Sequence, residues 1–382
     1  MMETRLVTRR ADLAALAEPW QELWRRAGRG NPFTHPAWVL AWVERLAGTI
    51  QPQVATLHEG QDLVGLAPLG LSRVGPWGRL VPLGWPEADY PDLLIDGDAS
   101  AGVELLVERL LEESWSWLEM TDLPEASPLR PALEAALGRA GLEMRSQRAM
   151  ECPRLVIDRP WEEFWGAKKR KFRYNLRRNL RLLGQEVGPV IYESMVDGPE
   201  IAAGLGQAMS IHANRWARRH TRTIFSQPRG RAFFQTALTG LAQDGLVRLD
   251  LMRAGERLVA FSLSFLSPET WYYYIPGFDP QFAKYSPGTL LLWRLVEQAH
   301  RDGARAFDLM KGEEDYKDRW ANGSGWTVNL LAVRPGAWHR TGLGLRLGWL
   351  GLREWARRNQ GARRIYFGFR DPLARWQRRG RG

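Results

Sequence analysis

Cysteine is almost absent from this chain. Its 382 residues include one cysteine, Cys152, and six histidines. A single thiol excludes an intrachain disulfide framework and a structural zinc site built from several thiolates. No spacing among the histidines and the cysteine fits a metal site, so we expect no metal. The scarcity of cysteine also favours a reducing compartment.

Long apolar runs are absent as well. No stretch approaches the roughly 18 uncharged apolar residues of a membrane-spanning helix, and the first residues hold no apolar core of a signal peptide. Hydrophobic residues still make up 45% of the chain and charged residues 25%, the balance of an ordinary globular protein. The sequence therefore predicts a soluble, cytoplasmic protein.

Three common catalytic motifs are absent too. No Walker loop, no G-x-G-x-x-G after a strand and no G-x-S-x-G element is present. Phosphate-loop nucleotide hydrolases, dinucleotide-binding oxidoreductases and α/β-hydrolases therefore lose support.

Acidic residues are scarce in two segments. The formal net charge is +10, and residues 336–382 carry this whole excess, with twelve arginines, no lysine and two acids. Residues 168–181 hold eight cationic residues and no acid. A solvated basic helix face is the plain interpretation of residues 168–181. Repulsion among eight cations instead favours a bound phosphate, nucleic acid or anionic lipid.

The order hairpin, strand, helix, strand occurs twice along the chain. The first hairpin turns at Gly60 and the second at Gly255, 195 residues later, and Trp117-Leu118-Glu119 aligns with Ala306-Phe307-Asp308 at an offset of 189 residues. This pattern predicts a tandem duplication of an α/β unit. The predicted divisions of the chain are residues 1–155, residues 156–335 and an Arg-rich tail, residues 336–382.

The first candidate binding site is the start of a helix at Ser286, which follows a predicted strand at residues 270–276. Ser286 suits an N-cap and Pro287 the first helical position. The free amides of such a helix start suit a phosphate, Gly288 would allow close approach, and Lys284 adds a mobile cation. A plain capped helix would explain the same residues.

A second candidate follows the strand at residues 306–310. Asp308 could accept a proton from an attacking amine or hydroxyl, and Lys317 or Arg319 could hold an anionic group. The alternative is a solvated charged loop anchored by Trp320. His212 and Arg215, three residues apart on a helix, could join the site, although a histidine in such a place more often satisfies a core hydrogen bond.

Taken in order, these stretches resemble the GNAT-fold acyltransferases of the CelD type, relatives of the FemABX peptidyltransferases. The resemblance rests on the basic helix at residues 168–181, His212-x-x-Arg215-Trp216, Gly277-Phe-Asp279-Pro280 with Tyr285-Ser286-Pro287-Gly288-Thr289, and Asp308-x-x-Lys311-Gly312-x-x-x-Tyr316-Lys317-x-Arg319-Trp320. In the first half, Pro32-Phe33-x-x-x-Ala37-Trp38 and Asp89-Tyr90-x-Asp92-Leu93-Leu94 also look like that family. The resemblance implies an α/β (α+β) fold of tandem GNAT-like units, each a mixed sheet flanked by helices.

The resemblance also implies an activity and a set of site residues. Members transfer an acyl or aminoacyl group to an amine or hydroxyl, often of a cell-envelope saccharide or lipid precursor. For this chain we expect transfer from acyl-CoA, such as acetyl-CoA, to an anionic or saccharide-type acceptor that is a cell-envelope or exopolysaccharide precursor. The expected catalytic residues are Asp308, Tyr316 and Lys317. The expected acyl-CoA contacts are Tyr273 and Ile275 for the pantetheine arm, and Lys284, Ser286, Gly288 and Thr289 for the pyrophosphate. The expected acceptor contacts are Tyr90, Arg170, Arg173, His212, Arg215, Trp216, Arg319 and Trp320.

Two other functions stay open. The chain departs from ordinary GNAT enzymes because it has no Q/R-x-x-G-x-G/A loop, so an aminoacyl-tRNA-dependent transferase of the FemABX type is an alternative. A non-catalytic nucleic-acid-binding protein would instead use residues 168–181 and the tail. For residues 336–382 we expect either a helix lying on an anionic membrane surface, which would place the protein at the inner membrane face, or a disordered basic tail.

Overall fold

The computed structural model describes residues 2–28, 31–217, 223–312 and 314–358. Among these residues the α-helices are α1 (Arg10–Ala15), α2 (Ala17–Ala27), α3 (Pro36–Arg45), α4 (Ala99–Leu111), α5 (Arg130–Arg139), α6 (Trp161–Ala167), α7 (Arg170–Glu186), α8 (Gly198–Ala217), α9 (Pro228–Gln243), α10 (Pro287–Arg301) and α11 (Ala337–Arg358). The strands are β1 (Met2–Val7), β2 (Gln51–Glu59), β3 (Asp62–Val74), β4 (Trp77–Pro82), β5 (Leu94–Ile95), β6 (Trp117–Pro124), β7 (Glu143–Val156), β8 (Val190–Met195), β9 (Val247–Ala254), β10 (Arg257–Leu266), β11 (Thr270–Phe278), β12 (Ala306–Asp308) and β13 (Gly323–Val333). Short 3-10 helices occupy Pro32–Thr34, Ile224–Ser226, Pro280–Tyr285 and Lys317–Arg319.

The chain forms two compact units. Unit 1 comprises residues 1–30, 47–149 and 328–382, and unit 2 comprises residues 31–46 and 150–327. Both units are discontinuous, whereas the predicted divisions at 155 and 335 were drawn along the chain. The difference arises because α3 packs within unit 2 and because the chain returns to unit 1 within β13.

Unit 1 is built on a mixed sheet. Strands β1, β2, β3 and β4 pair antiparallel in sequence order, and β4 then pairs parallel with β6. The turn between β2 and β3 is tight because Gly60 has a φ of 63°, in the left-handed region that favours glycine. Apolar side chains of α4 and α5, among them Leu106, Val107 and Leu137, pack with apolar side chains of this sheet in one core cluster.

Unit 2 repeats the same plan. Its sheet has the order β7-β12-β11-β10-β9-β8, with β9, β10 and β11 antiparallel and β11 parallel to β12. Gly255 turns the β9–β10 hairpin with a φ of 56°. The predicted order of hairpin, strand, helix and strand is therefore observed in both units, with the last two strands parallel each time.

The core of unit 2 contains α3. Phe33 and Trp38 meet the ring of Phe265 edge-on, with centroids 5.3 and 5.5 Å apart. His35 caps α3 by accepting a hydrogen bond from the amide of Ala37 at 3.2 Å. Edge-to-face aromatic pairs stabilise a core beyond the area they bury. The aromatic residues at 33 and 38, far from the rest of unit 2 in sequence, therefore tie residues 31–46 to it.

None of the helices within the described ranges is long and apolar enough to cross a membrane.

Candidate active site

Two parallel strands of unit 2 separate after a short contact. β11 and β12 pair only over Thr270↔Ala306, Trp271↔Phe307 and Tyr272↔Asp308. β11 then continues beside β10 as far as Phe278, whereas the chain after Asp308 follows β7, with the Leu309 amide donating to the Pro153 carbonyl at 3.0 Å. We call the opening between the two diverging strands the fork. Its β11 edge can offer backbone groups to an extended ligand.

Asp308 lies at the base of the fork. Its side chain is buried, and its Oδ1 accepts a hydrogen bond from the Met310 amide at 2.7 Å. Arg154 Nη2 on β7 lies 3.7 Å from the other carboxylate oxygen. Met310 holds a φ of 61°, an unusual value for a residue with a side chain. This turn fixes the carboxylate where the strands part, as a proton acceptor requires.

Tyr272 is the neighbour of Asp308 across the strands. Register partners in a parallel sheet project to the same face, so both side chains share a face of unit 2. Burial and then the Asp308 charge raise the pKa of the Tyr272 phenol, which stays protonated at neutral pH. Sequence reasoning missed Tyr272 and Arg154, because only the strand register shows which of three consecutive tyrosines faces the carboxylate.

The expected pantetheine contacts lie on β11 beyond the base of the fork. Tyr273 is buried in the core of unit 2, and Ile275 pairs with Leu263 of β10. The buried Tyr273 could therefore contribute only backbone groups to the predicted role, whereas the Ile275 side chain is half-buried.

Lys317 holds the loop after β12 together. The side chain is 3% exposed, and its Nζ donates to the carbonyls of Met310 at 3.2 Å and Lys311 at 2.8 Å. The same ammonium pairs with Glu314 at 2.9 Å. Gly312 lies against both side chains with a φ of 135°, and a Cβ there would collide with the Glu314 carboxylate. Lys317 was expected to be catalytic, and these contacts give it a role in shaping the loop beside Asp308.

Trp320 anchors the end of that loop. Its indole is fully buried, stacked on Trp165 at 6.3 Å and met edge-on by Phe172 at 5.5 Å. It therefore has no exposed surface for the acceptor contact expected of it, because packing against α6 and α7 encloses the ring. Tyr316 is partly buried against the same core, and Arg319 is exposed.

Lys168 secures the loop from the other side. Its Nζ donates to the carbonyls of Arg319 at 2.7 Å and Trp320 at 3.2 Å, and the ammonium lies 4.4 Å from the Phe164 ring centroid. Burial lowers the pKa of Lys168 to about 8. Lys168, one of the eight cations of residues 168–181, therefore helps to hold the loop that follows Asp308.

α10 begins where the sequence predicts, with Ser286 as N-cap and Pro287 as the first helical residue. Ser286 adopts a left-handed φ of 55° and its side chain makes no capping hydrogen bond, contrary to the expected cap. The Thr289 amide donates to the Ser286 carbonyl at 3.0 Å. A Cβ at Gly288 would be in ordinary van der Waals contact with Phe278, 3.4 Å away.

Lys284 is an ion-pair partner and not the mobile cation that the sequence suggested. Its Nζ lies 2.7 Å from the Glu186 carboxylate at the end of α7, and the Tyr285 hydroxyl donates to the same oxygen at 2.6 Å. These contacts raise the pKa of Lys284 and lower that of Glu186. A phosphate at this helix start would have to compete with Glu186 for Lys284.

The remaining expected contacts are distributed over both units. On α7, Arg170 is exposed and Arg173 half-buried, while Leu176 and Leu183 face the core. On α8, the His212 ring meets Phe225 edge-on at 4.9 Å. The side chains of Arg215 and Trp216 lie outside the described part of the chain. Tyr90 is buried in unit 1.

Unit 1 has its own carboxylate at the position that the duplication aligns with Asp308. Glu119 on β6 is buried and receives two hydrogen bonds from Arg346, at 2.7 and 3.1 Å, while Arg79 lies 3.5 Å away. Arg154 approaches Asp308 only to 3.7 Å. The carboxylate of unit 1 is thus neutralised by close arginine contacts, which makes it a poor proton acceptor.

The family of unit 2 follows from a comparison with known domains. Residues 170–318 match the family described as "Acetyltransferase (GNAT) domain". The chain carries a GNAT domain. The matched residues run from the start of α7 to the Lys317–Arg319 turn and include the fork. The match confirms the prediction of a GNAT-type acyltransferase, and it covers residues 170–318.

Solved structures are similar to the chain over most of its length. "Crystal structure of FemX" is similar over 86% of this chain and 96% of that chain, with 13% identity and a TM-score of 0.57. The C-terminal domain (DUF2156) of a putative lysylphosphatidylglycerol synthetase from Agrobacterium fabrum covers 87% of this chain and 95% of its own, with 14% identity and a TM-score of 0.53. L-PGS from Bacillus licheniformis covers 86% and 95%, with 14% identity and a TM-score of 0.51. At these identities the likeness establishes the fold, and the predicted mixed α/β architecture is confirmed.

A search of curated protein sequences returns no match. In the described ranges, no group of three or more histidine, cysteine, aspartate or glutamate side chains could hold a metal ion.

Proposed function

We propose that this protein transfers an acyl group from acyl-CoA to an amine or hydroxyl of a saccharide-type precursor of the cell envelope or of an exopolysaccharide. The observation that carries the proposal is the fork in unit 2. A buried carboxylate, Asp308, lies where the parallel strands β11 and β12 separate, and β11 leads into the start of α10.

The donor side of the proposed site lies along β11 and the start of α10. Backbone groups of residues 273–275 would hold the pantetheine arm in the fork, and the α10 start at Ser286 and Gly288 would face the pyrophosphate. The thioester supplies an activated carbonyl, so the protein has to position the acceptor and manage its proton.

Asp308 is the proposed proton acceptor. As the acceptor nitrogen or oxygen forms its bond to the acyl carbon, Asp308 takes its proton while the carbon–sulfur bond breaks. Tyr272, which burial and Asp308 keep protonated, is our candidate to return a proton to the leaving sulfur. Lys317 and Trp320 hold the loop next to Asp308 and act on the reaction through its position.

An aminoacyl-tRNA donor is the second candidate. It is favoured by the outer face of α7, where Arg170, Lys171, Arg177, Arg178 and Arg181 are all exposed. It is also favoured by the engagement of Lys284 with Glu186, which leaves less charge for a CoA pyrophosphate. A polyanion contacting α7 would show the steep salt dependence of counterion release.

The test is release of free thiol from a panel of acyl-CoAs in the presence of amino-sugar and hydroxylated acceptors. Asp308→Asn should reduce kcat by at least about 100-fold, the usual contribution of a positioned proton acceptor. Tyr272→Phe should lower kcat less and change the alkaline limb of the pH profile.

Asp302→Asn is the matched control, because Asp302 is an exposed carboxylate at the end of α10. Equal rates for Asp308→Asn and the wild type would remove Asp308 from the mechanism. Absence of both thiol release and CoA binding, together with transfer from a charged tRNA, would establish the second candidate instead.

A further inference from the structure

The C-terminal helix α11 has one face docked within unit 1. Leu343 is buried in a cluster with Trp117, Leu331 and Val333. Arg346, one turn further along, forms the two short hydrogen bonds to buried Glu119. The Arg-rich tail is thus ordered as a helix through residue 358, and the docked face fixes which side of α11 points outward.

The opposite face of α11 is apolar and exposed. Leu345, Leu352 and Trp355 are 66%, 62% and 58% exposed. At 100° per residue, these positions lie within about 80° of one another and on the side away from Leu343. Trp338 is also exposed at 58%, seven residues before Leu345. Large apolar side chains grouped on one exposed face mark an interaction surface.

Two arginines of α11 are already held in ion pairs within unit 1. Arg340 is paired with Glu143 and Arg346 with Glu119, so neither is free for a partner. Residues 353–382 contain ten further arginines, two acids and no lysine. This segment begins within the last turns of α11 and includes Trp355 of the exposed apolar face.

We propose that the outer face of α11 docks on an anionic lipid bilayer, an occupant favoured by the ten arginines that the sequence holds in residues 353–382. Leucine and tryptophan on one helix face enter the interface between headgroups and acyl chains, and adjacent arginines bind anionic headgroups. A second copy of the chain would bring ten arginines against ten others. A nucleic acid would leave Leu345 and Leu352 in water. This inference does not depend on the proposed acyl transfer.

The test is co-sedimentation of the full chain with vesicles of phosphatidylcholine alone and of phosphatidylcholine with phosphatidylglycerol. We expect binding to the anionic vesicles and at least about tenfold weaker binding to the neutral ones, with loss of binding as salt is raised. The variant L345Q/L352Q/W355Q should bind anionic vesicles at least about tenfold more weakly. Replacement of the seven arginines after residue 358 by glutamine should have a similar effect.

The matched control is I191Q/V196Q, which removes two exposed apolar side chains from unit 2. Its vesicle binding should equal that of the wild type, and thermal melts should show that all variants are folded. The proposal is overturned if the wild type stays in the supernatant with anionic vesicles, or if L345Q/L352Q/W355Q binds as the wild type does. A wild-type dimer that L345Q/L352Q/W355Q converts to a monomer, without vesicle binding, would assign the face to a second copy.

Discussion

Replacement of Arg346 by methionine should loosen α11 from unit 1. Arg346 donates two hydrogen bonds to Glu119, at 2.7 and 3.1 Å, and both side chains are less than a tenth exposed. Methionine retains most of the apolar stem, so the change removes mainly the charge and the two hydrogen bonds.

The expected loss follows from the environment of Glu119. Removing one partner of a buried ion pair costs about 3–5 kcal/mol, because the other charge is left buried. Arg79, 3.5 Å from the same carboxylate, offsets part of this loss. We therefore expect unit 1 to lose about 3 kcal/mol of stability, close to the lower end of that range.

The loss should depend on pH. Burial by itself raises the pKa of Glu119, but the hydrogen bonds and charge of Arg346 and the charge of Arg79 outweigh burial and hold that pKa below its usual value. In the wild type this stabilisation is present above the ordinary pKa of 4.5 and is lost as the pH falls. Without Arg346, burial should raise the pKa of Glu119 above its ordinary value. The variant should then lose stability as the pH rises, because the buried carboxyl becomes charged. The difference between the two proteins should therefore be largest near pH 7 and small below about pH 4.

The assay combines urea unfolding with hydrogen exchange of the α11 amides. Arg346→Met should lower the urea midpoint and accelerate exchange across residues 337–358. Arg340→Met is the control, because Arg340 lies on the same helix and its pair with Glu143 of β7 is solvent-exposed and should contribute little. Glu119→Gln added to Arg346→Met should restore part of the stability. If Arg346→Met behaves as Arg340→Met does, the buried ion pair does not hold α11 in place.

Two further predictions concern single side chains. Lys317→Met should destabilise unit 2 by about 2–4 kcal/mol, because it leaves the carbonyls of Met310 and Lys311 without their charged donor. If Lys317 acts by holding the loop, Lys317→Arg should recover part of the activity. Full activity in a destabilised Lys317→Met would show that the loop does not position Asp308. Burial raises the pKa of Asp92 to about 6, so the neutral carboxylic acid favours the folded state below its ordinary pKa, and this contribution is lost as the pH rises through 6. Asp92→Asn should therefore be more stable than the wild type by about 3 kcal/mol at pH 7.5 and nearly equal to it below about pH 4 in urea titrations, and a constant difference across that range would contradict the raised pKa.

Much of the fold could be predicted from the sequence because its determinants are local. The turn glycines at 60 and 255, the alternation of the hairpins and the Pro287 helix start all act within a few residues. The order of elements in both units followed from them. The place of α3 could not be predicted, because Phe33 and Trp38 pack against Phe265, more than 200 residues away.

The candidate site divides in the same way. Asp308 after a strand end was recognisable from sequence, as was the start of α10. The partners of these groups were not, since Tyr272 meets Asp308 only through strand register and Glu186 meets Lys284 only through the packing of α7. Trp320 illustrates the limit of motif reasoning, because its place in the motif does not show that its ring is enclosed.

By itself the sequence determined the secondary structure, the repeat of one α/β plan and the concentration of arginine after residue 335, because propensity, periodicity and charge are properties of neighbouring residues. The tertiary structure decided which cations are available. Lys284, Lys317 and Arg346 have the same formal charge as any other basic residue in the printed sequence. Each is held by Glu186, Glu314 or Glu119 because folding brings those carboxylates within hydrogen-bonding distance.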